Sequence, residues 1–397
     1  MLVNHKLVLS VLMVVLSKSA VAGPYQFFSL ELPTGAVSMT ATNVSADGKV
    51  VVGGVKFDTT VEAFYWTEES GTVLLGDLPG GNVDSGASDV SGDGSVVVGQ
   101  GLTGPFFGSP TSGFEGFWWT ESGGMLPMGD LPTGSYQSTA YAVSTDGQVA
   151  VGRSATINGY RAFRWSLGGG MQNLGNVSGD LSQGSEAFHT SDDGTVVVGR
   201  VTDGAMNHAF RWTPGLGMHY LVDGAELDNF SEAFAVSGDG RVVIGRTTGS
   251  TPGMQMFRWT EETGLERLGV LDAGEAIAEN ANHDGSVIVG LVVGILGFSK
   301  AFIWDEVHGH RDLRDVLISD GGLGSDLEDW TLREANGISA DGSVLTGMGI
   351  NPAGERVAWV VRLVPEPCGA ALLISAIGLL SVSRQHWRPR LPVRDAV

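Results

Sequence analysis

Two kinds of short apolar segment alternate along residues 36 to 363. Runs such as KVVVG, SVVVG, QVAVG and RVVIG place valine or isoleucine at consecutive positions, and segments such as AFYW, GFWW and AFRW follow them. Both are rich in β-branched or aromatic residues and bounded by Gly, Asp, Ser or Thr, which predicts strands. Consecutive apolar positions, in place of strict alternation, predict strands buried on both faces.

The pattern repeats. SADG (45–48), SGDG (91–94), STDG (144–147), SDDG (191–194), SGDG (237–240), NHDG (282–285) and SADG (339–342) place an Asp-Gly pair at seven points, with steps of 46, 53, 47, 46, 45 and 57 residues between the aspartates. Before each lies an alanine-led stretch (ATNVS, ASDVS, AYAVS, AFHTS, AFAVS, AENAN, ANGIS), and after it come the valine run, a variable loop, the aromatic segment and a Gly-containing turn into a fourth segment such as LLGDLPGG. Asp-Gly between the first two strands is a tight-hairpin signal, because glycine tolerates positive φ. Each repeat thus reads as four strands, here a to d, and four strands in about 40 to 50 residues is the period of a β-propeller blade. The small residue at the head of strand a (Ala41, Ala87, Ala140, Ala187, Ala233, Ala278, Ala335) suits an innermost strand crowding a central channel. The seventh repeat stops after VAWVVRL (357–363) without a strand d, whereas FFSLELPTG (27–35) looks like a strand d with no repeat before it. The expected fold is therefore all-β: a seven-bladed β-propeller of four-stranded blades, closed by residues 27 to 33 pairing beside the strand around Trp359, which would remove the free sheet edge. An open β-solenoid is the competing architecture.

Composition adds a compartment and removes a partner class. With 60 glycines, 17% charged residues and a formal charge of −21, the chain reads as a turn-rich, acidic folded protein. Nucleic acid is disfavoured, since a net-negative surface repels phosphates. One cysteine, Cys368, forms no internal disulfide. MLVNHK, the apolar LVLSVLMVVL and SKSAVAG form a charged, an apolar and a small-residue region, predicting a signal peptide over 1–22 cleaved after Ala22, with Ala20, Ala22 and Gly23 at the cleavage site. The apolar run is too short for a retained spanning helix.

The combination AF(R/Y/I)W, LGDLPGG and A..VS.DG.VVVG resembles the HAF-type extracellular repeats of exported bacterial proteins, and His208-Ala209-Phe210 carries the namesake tripeptide. The resemblance covers residues 36 to 363, with NHDG in the sixth repeat and VAWV in the seventh as departures. It implies fold and export and brings no chemistry with it.

No catalytic, cofactor or metal residues are assigned. The seven turn aspartates (Asp47, Asp93, Asp146, Asp193, Asp239, Asp284, Asp341) offer too few oxygens per turn for calcium, which takes six to eight. His308-Gly309-His310 lacks further ligands for zinc, His208 and His219 read as ordinary side chains, and no G-x-S-x-G, HExxH or phosphate-cradling loop is present. Acidic stretches TEESG (67–71) and SDLEDW (325–330) leave paired carboxylates open. Propeller geometry puts the b–c and d–a connections on one side and the a–b and c–d turns on the other. On the variable side, Phe106 and Phe107 in the insertion 99–116, and Asp326, Glu328, Asp329 and Trp330 in the insertion 317–334, are the candidate binding residues.

The tail has its own pattern. Val364-Pro365-Glu366-Pro367 precedes an apolar run from Cys368 to Val382, and Arg384, Arg388 and Arg390 follow it. Taken together, the motif, short transmembrane helix, basic cluster and C-terminal position resemble a PEP-CTERM sorting signal over 364–397. That resemblance implies a membrane-embedded exosortase partner that cuts near the Pro-Glu-Pro. The expected function is an exported binding or structural module of the cell envelope or extracellular matrix, its propeller spanning 23–363 and contacting a polysaccharide or envelope protein. The alternative is an extracellular polysaccharide-acting hydrolase or lyase using acidic loop residues.

Overall fold

The computed structural model describes residues 25–363 apart from 81–82, 105–112, 133–136, 178, 180–182, 205, 223–229, 249–253, 270–273 and 295–296. The leader, with Ala20, Ala22 and Gly23, lies outside the described residues. So do Phe106, Phe107 and the whole of 364–397, with Val364, Pro365, Glu366, Pro367, Arg384, Arg388 and Arg390. Among the described residues no helix is long and apolar enough to cross a membrane.

The described chain is all-β, and repeats 2 to 6 each form one four-stranded antiparallel sheet in the order a-b-c-d. In repeat 4 these are Gly184–Thr190, Val197–Asp203, Met206–Thr213 and Gly217–Tyr220. Repeats 1 and 7 share an eight-stranded sheet, joined by a single parallel bridge from Ser38 to Arg356. At its edge Tyr25–Ser29 pairs antiparallel with Arg356–Leu363, in the register Phe27↔Val361 and Ser29↔Trp359, and the Leu30 N–H continues to the Ala358 carbonyl. The pairing starts two residues earlier than the 27–33 expected from sequence.

The turns between strands a and b follow from their sequence. In the first, the Gly48 N–H donates to the Ser45 carbonyl and Gly48 takes φ +72°. The Ser45 hydroxyl donates to Asp47 and accepts from the Val50 N–H. Asparagine replaces serine in the sixth turn, and Asn282 Oδ1 accepts from the Val287 N–H in the same place. The turns also bond to one another: Asp47 N–H to Gly92 O, Gly92 to Thr145, Thr145 to Asp192, Asp192 to Gly238, Asp239 to His283, His283 to Ala340, and Ala340 back to Ala46.

Strand b is buried on both faces because each sheet packs against two others, as at Val51, Val52, Val197 and Val198. The glycine ending its valine run is a packing requirement. A Cβ on Gly199 would lie 2.0 Å from the Glu186 carbonyl oxygen and 2.9 Å from the Phe210 ring, and Gly53, Gly99, Gly152, Gly245, Gly290 and Gly347 stand in equivalent positions. The opposing phenylalanines of strand c (Phe64, Phe117, Phe163, Phe210, Phe257, Phe302) are fully buried. In repeat 7 Gly347 pairs with Trp359, so the segment equivalent to AFYW is AWVV (358–361), one residue later than VAWV.

The alanines heading strand a each sit in a different apolar core between neighbouring sheets, beside a register shift in their own strand. One expectation needs correction: Trp330 is not an exposed binding residue, because the insertion 317–334 is open only in part. It completes a helix, Leu313–Ser319, capped by Asp312, and Leu317, Leu323, Leu327 and Trp330 bury themselves in the core shared by repeats 6 and 7.

Candidate functional site: the cavity between the first strands

The residue after each core alanine points the other way, into a cavity of about 570 Å³ enclosed by the strands a. Its walls differ sharply. Tyr141, Phe188 and Phe234, from repeats 3 to 5, form a continuous aromatic face with ring centroids 5.7 and 5.8 Å apart. Thr42, Ser88, Glu279 and Asn336, from repeats 1, 2, 6 and 7, supply the rest of that level, joined by Glu334 and Leu291.

Charges behind the aromatic wall are tightly paired. Arg200 bonds both Glu186 and Glu232, Arg153 bonds Glu186, and Arg246 bonds Glu232, with N–O distances of 2.6 to 2.9 Å. The guanidinium groups of Arg200 and Arg246 stand 5.4 and 5.2 Å from the centroids of Phe188 and Phe234, a cation–π arrangement that rigidifies the wall. Burial pushes the Tyr141 hydroxyl up to about 12.

The cavity floor is polar and spoken for. Asp89 accepts from Asn43 Nδ2 and from the Val90 and Val143 N–H groups, tying repeats 1, 2 and 3 together, and burial pushes its carboxyl up to about 6. Asn280 donates to Asn43. His189 accepts from the Val236 N–H through Nδ1, and burial lowers it to about 4, so the ring is neutral. Below the floor, in a smaller space of about 70 Å³, Asp192 accepts from Thr145 and contacts His283.

Glu279 and Glu334 stand apart. Neither carboxyl has a hydrogen-bond or ion-pair partner among the described residues, and both line the cavity. Burial, then the charge of Glu334, pushes Glu279 up to about 7, with Arg246 opposing. Two unpaired carboxyls facing three rings can receive a ligand that offers donors or positive charge on one side and an apolar face on the other.

Of the residues singled out from sequence, Trp330 is buried and stacks edge-on against Phe27 at 4.9 Å. Asp326, Glu328 and Asp329 are exposed on the same connection and do not line the cavity. The turn aspartates spend their carboxylates within their own turns, and hydrogen bonds from Ser95 hold Asp93 below its usual range. Among the described residues no three His, Cys, Asp or Glu side chains cluster as metal ligands. Sequence reasoning missed the cavity residues, although a signal was present: in the aligned repeats the position after the constant alanine reads Thr, Ser, Tyr, Phe, Phe, Glu, Asn.

No protein-family model matches the chain, and no curated protein does. Solved structures do. An oligogalacturonate lyase from Vibrio parahaemolyticus superposes with a TM-score of 0.56 at 13% identity, over 86% of this chain and 97% of that one. A prolyl endopeptidase superposes at 0.52 and 12%, over 83% of this chain and 51% of that one. The chain is a β-propeller. TolB from Acinetobacter baumannii matches at 0.45 and 12%, over 67% of this chain and 63% of that one. At these identities the likeness speaks for the propeller fold alone, and the propeller's site rests on its own residues.

Proposed function

We propose that the chain is an exported binding module of the cell envelope or extracellular matrix, a seven-bladed propeller whose last blade is completed by the N-terminal strand. The circuit of bonds through all seven a–b turns and the pairing of Tyr25–Ser29 with Arg356–Leu363 support the closed ring. The sequence of the leader and tail supports the rest: removal of residues 1–22, then processing by an exosortase-type enzyme near Pro365-Glu366-Pro367. Mass spectrometry of the mature protein is expected to find Gly23 at the N-terminus and no peptide beyond about residue 367; a mature product containing Trp387 would overturn the sorting reading.

One observation carries the binding site: an aromatic wall of Tyr141, Phe188 and Phe234 faces carboxyls without partners. Stacking faces opposite polar groups suit a neutral or cationic ligand, whereas an acidic sugar of the kind named for the oligogalacturonate lyase would meet two unpaired carboxyls. Retention of the protein on extracellular polymer from its own host, and on a glycan array, is expected to fall at least about tenfold in Phe188→Ala, the scale of a lost stacking contact. Retention unchanged in that variant would place recognition elsewhere. Glu279, raised toward neutrality beside Glu334, also favours a second reading in which it is a general acid in a polysaccharide-cleaving enzyme. Turnover in a hydrolysis screen, abolished by Glu279→Gln, would replace the binding reading with that one.

A further inference from the structure

One position of strand a carries glutamate in repeats 4, 5 and 7, and only in repeats 4 and 5 is it paired with arginine. Two residues' distance from the variable cavity position, on its N-terminal side, Glu186 and Glu232 stand opposite Arg200 and Arg246 across the a–b pair of their own sheets. Each also receives an arginine from the preceding repeat, Arg153 and Arg200. Every such carboxylate is therefore clasped by two guanidinium groups. Glu334 holds the same place in repeat 7. Its cross-strand partner is Met348, and the preceding repeat offers Leu291. Both arginine positions have become apolar, and the carboxylate that remains lines the cavity with no partner of its own among the described residues. Glu279 lies close enough for the two carboxyls to repel.

We propose that Glu334 and Glu279 form a binding site for a small organic cation, an ammonium or guanidinium group on an apolar stem, which supplies the positive charge that arginines supply in repeats 4 and 5. The stem would lie against Phe188 and Phe234, whose faces favour a cation's apolar shoulder and attract residual positive charge. Among the described residues no third His, Cys, Asp or Glu joins the two glutamates as a metal ligand, and calcium or magnesium demands a fuller shell of oxygens. An unpaired carboxylate in a partly desolvated site is costly, and a bound cation offsets that cost.

The inference rests on the cavity being the binding site. Its test is calorimetric titration of the purified protein at pH 8 with phenethylammonium and, in parallel, with the neutral phenethyl alcohol. The ammonium compound is expected to bind at least about tenfold more tightly than the alcohol, a preference of the size charge pairing gives at partly buried sites. Glu334→Gln is expected to remove the preference. Leu291→Arg, which restores one of the two arginines of the repeat-4 arrangement, is expected to remove it as well while leaving the thermal midpoint no lower than wild type, so the test survives if Glu334→Gln fails to fold. Equal affinity for the two probes, no binding of either, or a preference that persists in Leu291→Arg would overturn the cation site. Polymer retention that still depends on Phe188 would then leave the cavity reading standing, and its absence as well would remove both.

Discussion

Arg200 shows how much a single side chain carries here. It holds two carboxylates, one of them, Glu232, only 1% exposed in its side chain. Stranding a buried charge costs about 3–5 kcal/mol, but without Arg200 Glu186 keeps Arg153 and Glu232 keeps Arg246, and Arg200's partial exposure discounts the cost further. Arg200→Ala is expected to lose roughly 2–3 kcal/mol in urea denaturation, and a loss near zero would show the ladder to be solvated. Glu279 works in the opposite sense. Its carboxyl is raised to about 7 from the ordinary 4.5, so the folded chain keeps a proton that the unfolded chain releases. Stability contributed by this group therefore declines as pH rises from about 4.5 to 7. Glu279→Gln should melt above wild type at pH 8, with the gap closing toward pH 4.5; parallel melting curves at the two pH values would contradict this. Neither role was legible in the sequence. Arginine and glutamate appear there as scattered charges, and their pairing depends on strands from three repeats meeting.

At the scale of the element, the repeating glycine of strand b is the clearest requirement. Gly199→Ala would drive a methyl group into the Glu186 carbonyl, whereas Gly86→Ala meets nothing within 4 Å. The first is expected to cost at least about 2 kcal/mol by overpacking, and the second to stay within about 1 kcal/mol of wild type. Comparable losses in both would assign the effect to chain entropy. The Asp-Gly turns were predictable because their chemistry is local: serine, aspartate and glycine within four residues bond to one another. The burial of Trp330 in the insertion 317–334 was not legible, for the opposite reason. Leu323, Leu327 and Trp330 are separated by exposed acidic residues, and only the apolar gap beside repeats 6 and 7 shows which side they bury.

At the scale of the whole molecule, the N-terminal strand covers an apolar edge. Trp359, Val360 and Val361 are fully buried, and Phe27, Phe28 and Leu30 contribute to the cores on either side. A variant starting at residue 31 is expected to melt roughly 10 °C or more lower and to self-associate through the bared strand. Calorimetry and light scattering on the purified protein would check both, and an unchanged monomer would show the strand to be dispensable.

The sequence by itself determined what is local and periodic: four strands per repeat, tight turns at Asp-Gly, strands buried on both sides, and an acidic body between an apolar N-terminal run and a basic tail. These follow from residue spacing, backbone preference and charge count, which need no partner distant in the chain. Tertiary structure alone decided that the alanines face cores while their neighbours face the cavity. It also decided that Trp359 takes the place of phenylalanine, that Trp330 is buried, and that Glu334 lacks the arginines its counterparts possess. Each of these depends on which strands stand side by side, and that adjacency links residues as far apart as Asn43 and Asn280.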